Sequence, residues 1–508
     1  MAPHATEHQS LRGRSIIPHV IKRGVIHNWP PAKVKEHDQG GIGCRRCLLP
    51  GKLRIEPPQP MTSFQGLPGG GALGPSGRAV RPRVFSPQTN TPFVSPNCGC
   101  PGEPSEASDG NVVVYAVNQR IAFSTNFGAT FSSFAMGAFF PTNAAGGPSG
   151  DQVIQYVPSI NRFVWLLQYW AGPTGANIDR LTVFPPSSVS PGGLTGPFTY
   201  WDLPSLSPTW KFEDFPDLAV GSQYLYFTTN LGKGGFVYQT EIARIGLSNL
   251  QLSLNLAAPP HAWRYILGGL FFGRVAQNTG VVAYWAVPAN TSQMNVSWWP
   301  EAGTFWFGPV TINNLTWPNA GFASYNPDKN NWNSTYTGVI LAAAVTPGPN
   351  GSHLWLAWPA GVGTGQEAWL SQPNVQLLEI SVPGMKFTAQ TTIWNPAYAF
   401  SFPALAVSRS GDLGIDLGWG GHGSLWTNTA VTDWFDTPYI AWNMTSSTAS
   451  DGGNRWGDYI DIRPEFGMSP TGGPWPANGF TASGIGTVVN PTAPGSRLWD
   501  LHYIAFSG

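Results

Sequence analysis

The chain has 508 residues, 42% hydrophobic and 11% charged, with 61 Gly, 48 Pro, 23 Trp and a formal net charge of zero. Many turn formers and few charges fit short strands joined by turns better than helices, and the apolar content is too high for a disordered chain. Zero net charge provides no long-range field toward nucleic acid, and no run of about 18 apolar residues is present to span a membrane as a helix.

Charge is unevenly spread: residues 1–83 carry 13 Lys/Arg against 4 Asp/Glu, and the remainder 14 against 23. Stretches such as GLPGGGALGPSGRAVRP have neither helical nor strand periodicity, so residues 1–110 are expected to form an extended, basic, Pro/Gly-rich leader. Such a segment is a solvated tail or a route to oligomers. The opening MAPHATEHQSLRGRSIIPHVIKRG lacks the apolar core, about 7–15 residues long, of a secretory signal. The four cysteines form two close pairs, Cys44/Cys47 and Cys98/Cys100. Disulfides, free thiols and a zinc site all remain open, although the CGC spacing is tight for zinc.

From about residue 110 the texture changes. NVVVYAV and RIAFSTNF alternate with the two-residue period of half-buried strands, with Asn118-Gln119 as the turn. A strand theme then recurs, starting near Asp151, Glu213, Trp263, Tyr336, Phe400 and Arg455. Its clearest internal pair is FPDLAVG (215–221) against FPALAVS (402–408). Four-stranded sheets repeated around a ring account for this spacing, so residues 111–508 are expected to be a single all-β propeller. Counting residues 111–140 as a unit gives seven blades; merging them with the last blade gives six. The C-terminal RLWDLHYIAFSG is a further strand, expected to close the ring with N-terminal strands. A stack of separate sandwich domains is the competing architecture.

Ser124-Thr125-Asn126-Phe127-Gly128-Ala129-Thr130-Phe131 resembles the Asp-box, Ser-x-Asp-x-Gly-x-Thr-Trp, of sialidase-like (BNR-repeat) propellers, with Asn126 for Asp and Phe131 for Trp. In such a turn the Asx side chain accepts local hydrogen bonds and the glycine supplies a positive φ. The resemblance covers about residues 110–508 and implies an extracellular, glycan-directed propeller. Sialidases hold their substrate with three arginines and use a Tyr nucleophile. No spacing among the ten arginines of the body singles out such a triad, so true sialidase activity is disfavoured.

Chemistry is sought instead among inner-strand acids. Asp151, Asp217 and Asp458 enter the first strands of their repeats at comparable phase, with Glu213 and Asp214 nearby. Carboxylates converging at a channel mouth would act as acid and base on a glycosidic bond, bind Ca²⁺, or simply hydrogen-bond the neighbouring blade. Trp165, Trp285 and Trp355 lie in apolar strands and are expected in the core. Trp298, Trp419, Trp456 and Trp475 lie near turns, where an indole face is available to stack on a sugar. The adjacent rings of Trp298-Trp299 must point to opposite faces of a strand. His422, within GWGGHGS, is a general-base or metal-ligand candidate against the plainer reading of an exposed loop residue. Two functions follow. One is a propeller that binds or cleaves a glycan or polysaccharide at the channel mouth, without nucleic-acid or membrane-spanning partners. The other is a non-catalytic interaction or surface-coat propeller.

Overall fold

The computed structural model describes residues 18–21 and 86–507, except 97–101, 141–145, 208, 234–235, 253–261, 269–273, 334–337, 366–367, 369, 435–440, 451–455, 468–473 and 494. Cys44, Cys47, Cys98, Cys100 and most of the leader lie outside the described residues. The rest forms seven antiparallel sheets that follow one another along the chain, the blades of one β-propeller.

Blade 1 comprises Ser105–Ser108, Val113–Val117, Arg120–Ser124 and Ser132–Ala135. Blade 2 comprises Pro148–Val157, Arg162–Tyr169, Ile178–Phe184 and Phe198–Pro204, with Pro18–Ile21 added at its outer edge. Blade 3 runs from Phe212–Val220 to Ala262–Gly268. Blade 4 has Val282–Asn290, Gln293–Pro300 and Phe307–Ile312. Its innermost strand is the short segment 274–277, bridged through Val275 to Trp285 and through Gln277 to Ala344 of blade 5. Blade 5 runs from Ala342–Thr346 to Lys386–Ile393, and blade 6 from Ala399–Val407 to Trp442–Asn443.

Blade 7 closes the ring. Its strands are Ile462–Pro464, Gly479–Val489 and Arg497–Ser507, and the fourth, outermost strand is Ser86–Pro96 from the other end of the chain. The pairing runs from Ser86 opposite Ser507 to Pro96 opposite Leu498. Asn90 reinforces it: its amide donates to the Met444 carbonyl, 3.1 Å away, which turns its oxygen toward His502 Nδ1 at 2.6 Å. The ring thus takes in the strands Ser86–Pro96 and Ser105–Ser108. A propeller joined covalently at only one point needs such a pairing to remove its last free edges.

Middle strands are buried on both faces because each blade is covered by two neighbours. Arg162–Tyr169 and His353–Ala360 therefore read as continuous apolar runs, without alternation. Trp165, Trp285 and Trp355 pack between blades, 0%, 1% and 3% exposed. At roughly 150–250 Å² per ring and ~25 cal/mol per Å², each contributes about 4–6 kcal/mol of burial as an upper bound. The phrase near Trp263, read as the start of a blade, is instead the outer strand of blade 3, Ala262–Gly268. An apolar outer strand and an apolar inner strand look alike in sequence, and only the pairing partner separates them.

Candidate functional site

The inner strands share a backbone irregularity that sets where their side chains go. In blade 3 the pairing register breaks between Asp214 and Asp217, and in blade 6 between Ser401 and Ala404. Phe215 and Phe402, the residues before the prolines of FPDLAVG and FPALAVS, have φ of 55° and 50°. In blade 2 the break falls between Pro148 and Gln152, with Gly150 at φ 97°. Blade 1 repeats the pattern ahead of Ser105, with Glu103-Pro104 and Glu103 at φ 47°. Left-handed non-glycine residues cost on the order of 1–3 kcal/mol each, so the surrounding ring must hold them in place.

This register separates the predicted acids. Asp217 resumes pairing directly after its bulge, opposite Thr228, as Gln152 does opposite Leu167. Asp151 lies one residue earlier, inside the bulge, and a one-residue offset redirects a strand side chain. Asp151 and Asp458 meet, and Glu103 joins them: one oxygen from each carboxylate lies within 4.8 Å of the others. All three are buried, Glu103 and Asp458 to 1% exposure and Asp151 to 6%. They come from the entries to the inner strands of blades 1, 2 and 7, across the seam where the ring closes. Asn118 Nδ2 donates to Glu103 Oε2 at 2.6 Å, the Asp151 amide donates to Gln168 Oε1 at 3.1 Å, and the Tyr459 hydroxyl lies 2.8 Å from the Gln152 nitrogen. The donor set is all oxygen, with no imidazole or thiolate, and fits a hard cation such as Ca²⁺; Glu103, Asp151 and Asp458 would each supply a ligand.

Asp217 instead borders a small cavity between inner strands. Its Oδ1 accepts from Arg274 Nη1 at 2.6 Å, and the guanidinium lies over the rings of Phe215 (4.3 Å) and Tyr459 (5.0 Å). Asp461 and Arg463 form a second pair beside it. Burial pushes the Asp461 carboxyl up to about 6, with Arg463 and Ser105 pulling down and Asp217 pushing up. These four residues border a cavity of about 30 Å³, with Gln277 among the others. That holds a water or two and no pyranose ring. Gln155 links neighbouring inner strands, donating to Gln277 Oε1 at 2.7 Å and to the Leu218 carbonyl at 2.6 Å. Glu213 faces blade 2, where its carboxylate accepts from the Asp179 amide at 2.9 Å, and Asp214 accepts from Gln168 Nε2 at 3.0 Å.

The four turn-proximal tryptophans have separate settings. Trp456 is 4% exposed, tilted on Phe402 at 5.4 Å and edge-on to Trp332 at 6.1 Å. Trp475 is 3% exposed, and its carbonyl accepts from Arg409 at 2.7 Å. Trp419 is half-buried, donating from Nε1 to Asn443 Oδ1 at 3.0 Å, with Tyr398 against it at 5.1 Å. Trp298 is half-buried and stacked on Phe307 at 6.2 Å, while Trp299 is buried on the opposite face. His422 is exposed, its Nδ1 2.8 Å from Gln372 Nε2. The arginines are dispersed: Arg180 pairs with Asp202, Arg264 with Glu241 and Arg274 with Asp217, while Arg244 donates to the Pro300 carbonyl.

The octet 124–131 is a turn between the third and fourth strands of blade 1. Asn126 Oδ1 accepts from the Ser124 hydroxyl (2.8 Å) and the Thr130 amide (3.1 Å), and its Nδ2 donates to the Thr130 hydroxyl (3.0 Å). Gly128 has φ 74°, and Phe131 stacks on Phe93 of the closing strand at 4.5 Å.

Glu103 escaped the sequence reading because it falls in the expected leader. In sequence Glu103-Pro104-Ser105 shares only its proline with Phe215-Pro216-Asp217 and Phe402-Pro403-Ala404; the left-handed residue before each proline is what relates them.

No family model matches the sequence, and no curated protein does. Among solved structures the chain is similar to a protein of unknown function from Dyadobacter fermentans DSM 18053, at 10% identity, covering 84% of this chain and 99% of that one with a TM-score of 0.41. It is also similar to the β-propeller domain of the Trilobed protease from Pyrococcus furiosus, at 8% identity, 81% and 93% coverage and a TM-score of 0.37. The polysaccharide lyase Uly1 gives 8% identity, 79% and 89% coverage and a TM-score of 0.39.

Proposed function

We propose that the protein is a carbohydrate-directed propeller of sialidase-like type whose working groups are Glu103, Asp151 and Asp458. The observation that carries this reading is the convergence of three buried carboxylates, supplied by three blades, within 4.8 Å of one another at the ring seam. Grouped carboxylates accept hydrogen bonds from adjacent sugar hydroxyls, and a pair of them serves as acid and base in glycosidic cleavage. Asp217 has a different task here. Its carboxylate is already committed to the Arg274 guanidinium, so it is left out of the working groups.

The test is a panel of plant, fungal and bacterial oligosaccharides scored for binding and for reducing-end release. Wild-type protein is expected to bind or cleave at least one member. The double variant D151N/D458N is expected to lose about 10²-fold or more of that signal while unfolding at a similar temperature. A silent wild-type protein, or a double variant that keeps full signal, overturns the reading.

A further inference from the structure

The closing strand Ser86–Pro96 carries no ionisable residue, yet the strand it covers does. Arg497–Ser507 places Asp500 and His502 two residues apart, so both side chains leave the same face of the strand. Asp500 is 0% exposed and His502 3%. His502 Nε2 lies 3.1 Å from Asp500 Oδ1, and neither atom has another polar partner. The other carboxylate oxygen accepts from the Ser446 amide at a long 3.4 Å. A fully buried carboxylate with so little hydrogen bonding requires a positive partner, and the imidazole is the group within reach.

The second ring nitrogen faces an acceptor as well. Asn90 Nδ2 donates to the Met444 carbonyl at 3.1 Å, and a carbonyl only accepts, so the amide cannot be turned round. Its Oδ1 therefore faces His502 Nδ1, 2.6 Å away. A neutral imidazole has one N–H, and here both nitrogens confront oxygen. Reconciling the three groups takes one proton more than a carboxylate and a neutral ring carry, held as imidazolium or as the carboxylic acid of Asp500.

The elements around the pair are Ser86–Pro96, Gly479–Val489 and residues 444–447, and none contains an ionisable side chain. Tyr503, next in the strand, points to the opposite face. Tyr115 of blade 1 donates to the carbonyl of Gly484, the residue paired with His502, at 2.7 Å. Burial holds that phenol well above its usual range, with Glu106, Asp416, Asp500 and Asp461 acting in the same direction, so it keeps its proton throughout.

We infer that Asn90, His502 and Asp500 form a proton-dependent latch on the ring, which holds the closing strand while the proton is kept and loosens it when the proton leaves. The attached strand requires the proton and the detached strand does not. Attachment is therefore complete at low pH and weakens as pH rises through about 5 to 8, the range in which histidine exchanges its proton. Strand pairing and the Phe93 contact remain, so the strand loosens and does not depart. The latch involves none of Glu103, Asp151 and Asp458 and does not depend on the carbohydrate reading.

The test is hydrogen–deuterium exchange of the full-length chain at about pH 5.5 and 8.5, read by mass spectrometry in peptides spanning residues 86–96 and corrected for the intrinsic pH dependence of exchange. Wild-type protein is expected to exchange this strand about tenfold faster at the higher pH. H502Q, whose side chain does not titrate, and D500N, which lets a neutral ring donate to Asn90, are each expected to show equal corrected rates at the two values. E106Q removes the fully buried acid of Ser105–Ser108 and is expected to keep the difference. A wild-type strand with the same corrected rate at both values overturns the latch. So does a difference that survives in H502Q or D500N, or that disappears in E106Q. If H502Q fails to fold, the D500N profile decides alone, because an amide there replaces a carboxylate of the same size.

Discussion

Asn126 shows how one substitution leaves a turn intact. Its side chain closes three hydrogen bonds within the octet, and the carbonyl oxygen does the accepting that a carboxylate would do. N126A is expected to cost about 1–2 kcal/mol, while N126D stays within about 0.5 kcal/mol of wild type, measured by denaturant unfolding. Glu106 illustrates a buried acid with a cost. Burial, the largest cause, pushes its carboxyl up to about 8 from its ordinary value of 4.5, with Asp461 adding and Thr481 and Arg463 opposing. Below the unfolded value both states hold the proton and the group contributes nothing. Above it the unfolded chain releases the proton first, so stability falls as pH rises from about 4.5 to 8, by on the order of 5 kcal/mol for this group. The variant E106Q removes that ionisation. It is expected to narrow the difference in Tm between pH 5 and pH 8; an unchanged difference would rule out Glu106 as a source of the slope. Both residues were within reach of sequence reasoning in different degrees. Asn126 lies in a motif, whereas nothing in Ser105-Glu106-Ala107 announces a fully buried carboxyl.

At the scale of elements, the decisive piece is the closing strand Ser86–Pro96. It covers Arg497–Ser507, a strand buried at every position but its first, so without it an apolar edge faces water. Phe93 anchors it, stacked on Phe131 at 4.5 Å and edge-on to Tyr115 at 5.1 Å. F93A is expected to cost about 2–3 kcal/mol, the low end for a Phe-to-Ala change because the ring is only partly buried. Internal deletion of residues 86–96 is expected to abolish the cooperative thermal transition and leave aggregated protein on size exclusion. The C-terminal partner, RLWDLHYIAFSG, was legible as a strand. The N-terminal one, SPQTNTPFVSP, was not, because its prolines and polar residues suit an outermost strand with one free edge and read in isolation as loop. The inner-strand bulges were legible only as a repeated phrase, FPDLAVG and FPALAVS. That the phrase carries a left-handed Phe and a register break is a matter of pairing.

For the whole molecule, the ring divides acidic groups into those that brace the axis and those that gather at the seam. Asp217 and Asp461 belong to the first kind, each tied to an arginine. Glu103, Asp151 and Asp458 belong to the second, and the D151N/D458N experiment is a test of that division. The chain alone determined that this protein is an all-β propeller. Strand periodicity, turn chemistry and the recurrence of a theme are local properties, carried by residues close together in sequence. Tertiary structure alone decided which carboxylates meet. Glu103 and Asp458 are brought together only by circular closure, and Asp151 and Asp217 are told apart only by a one-residue difference in register at a bulge.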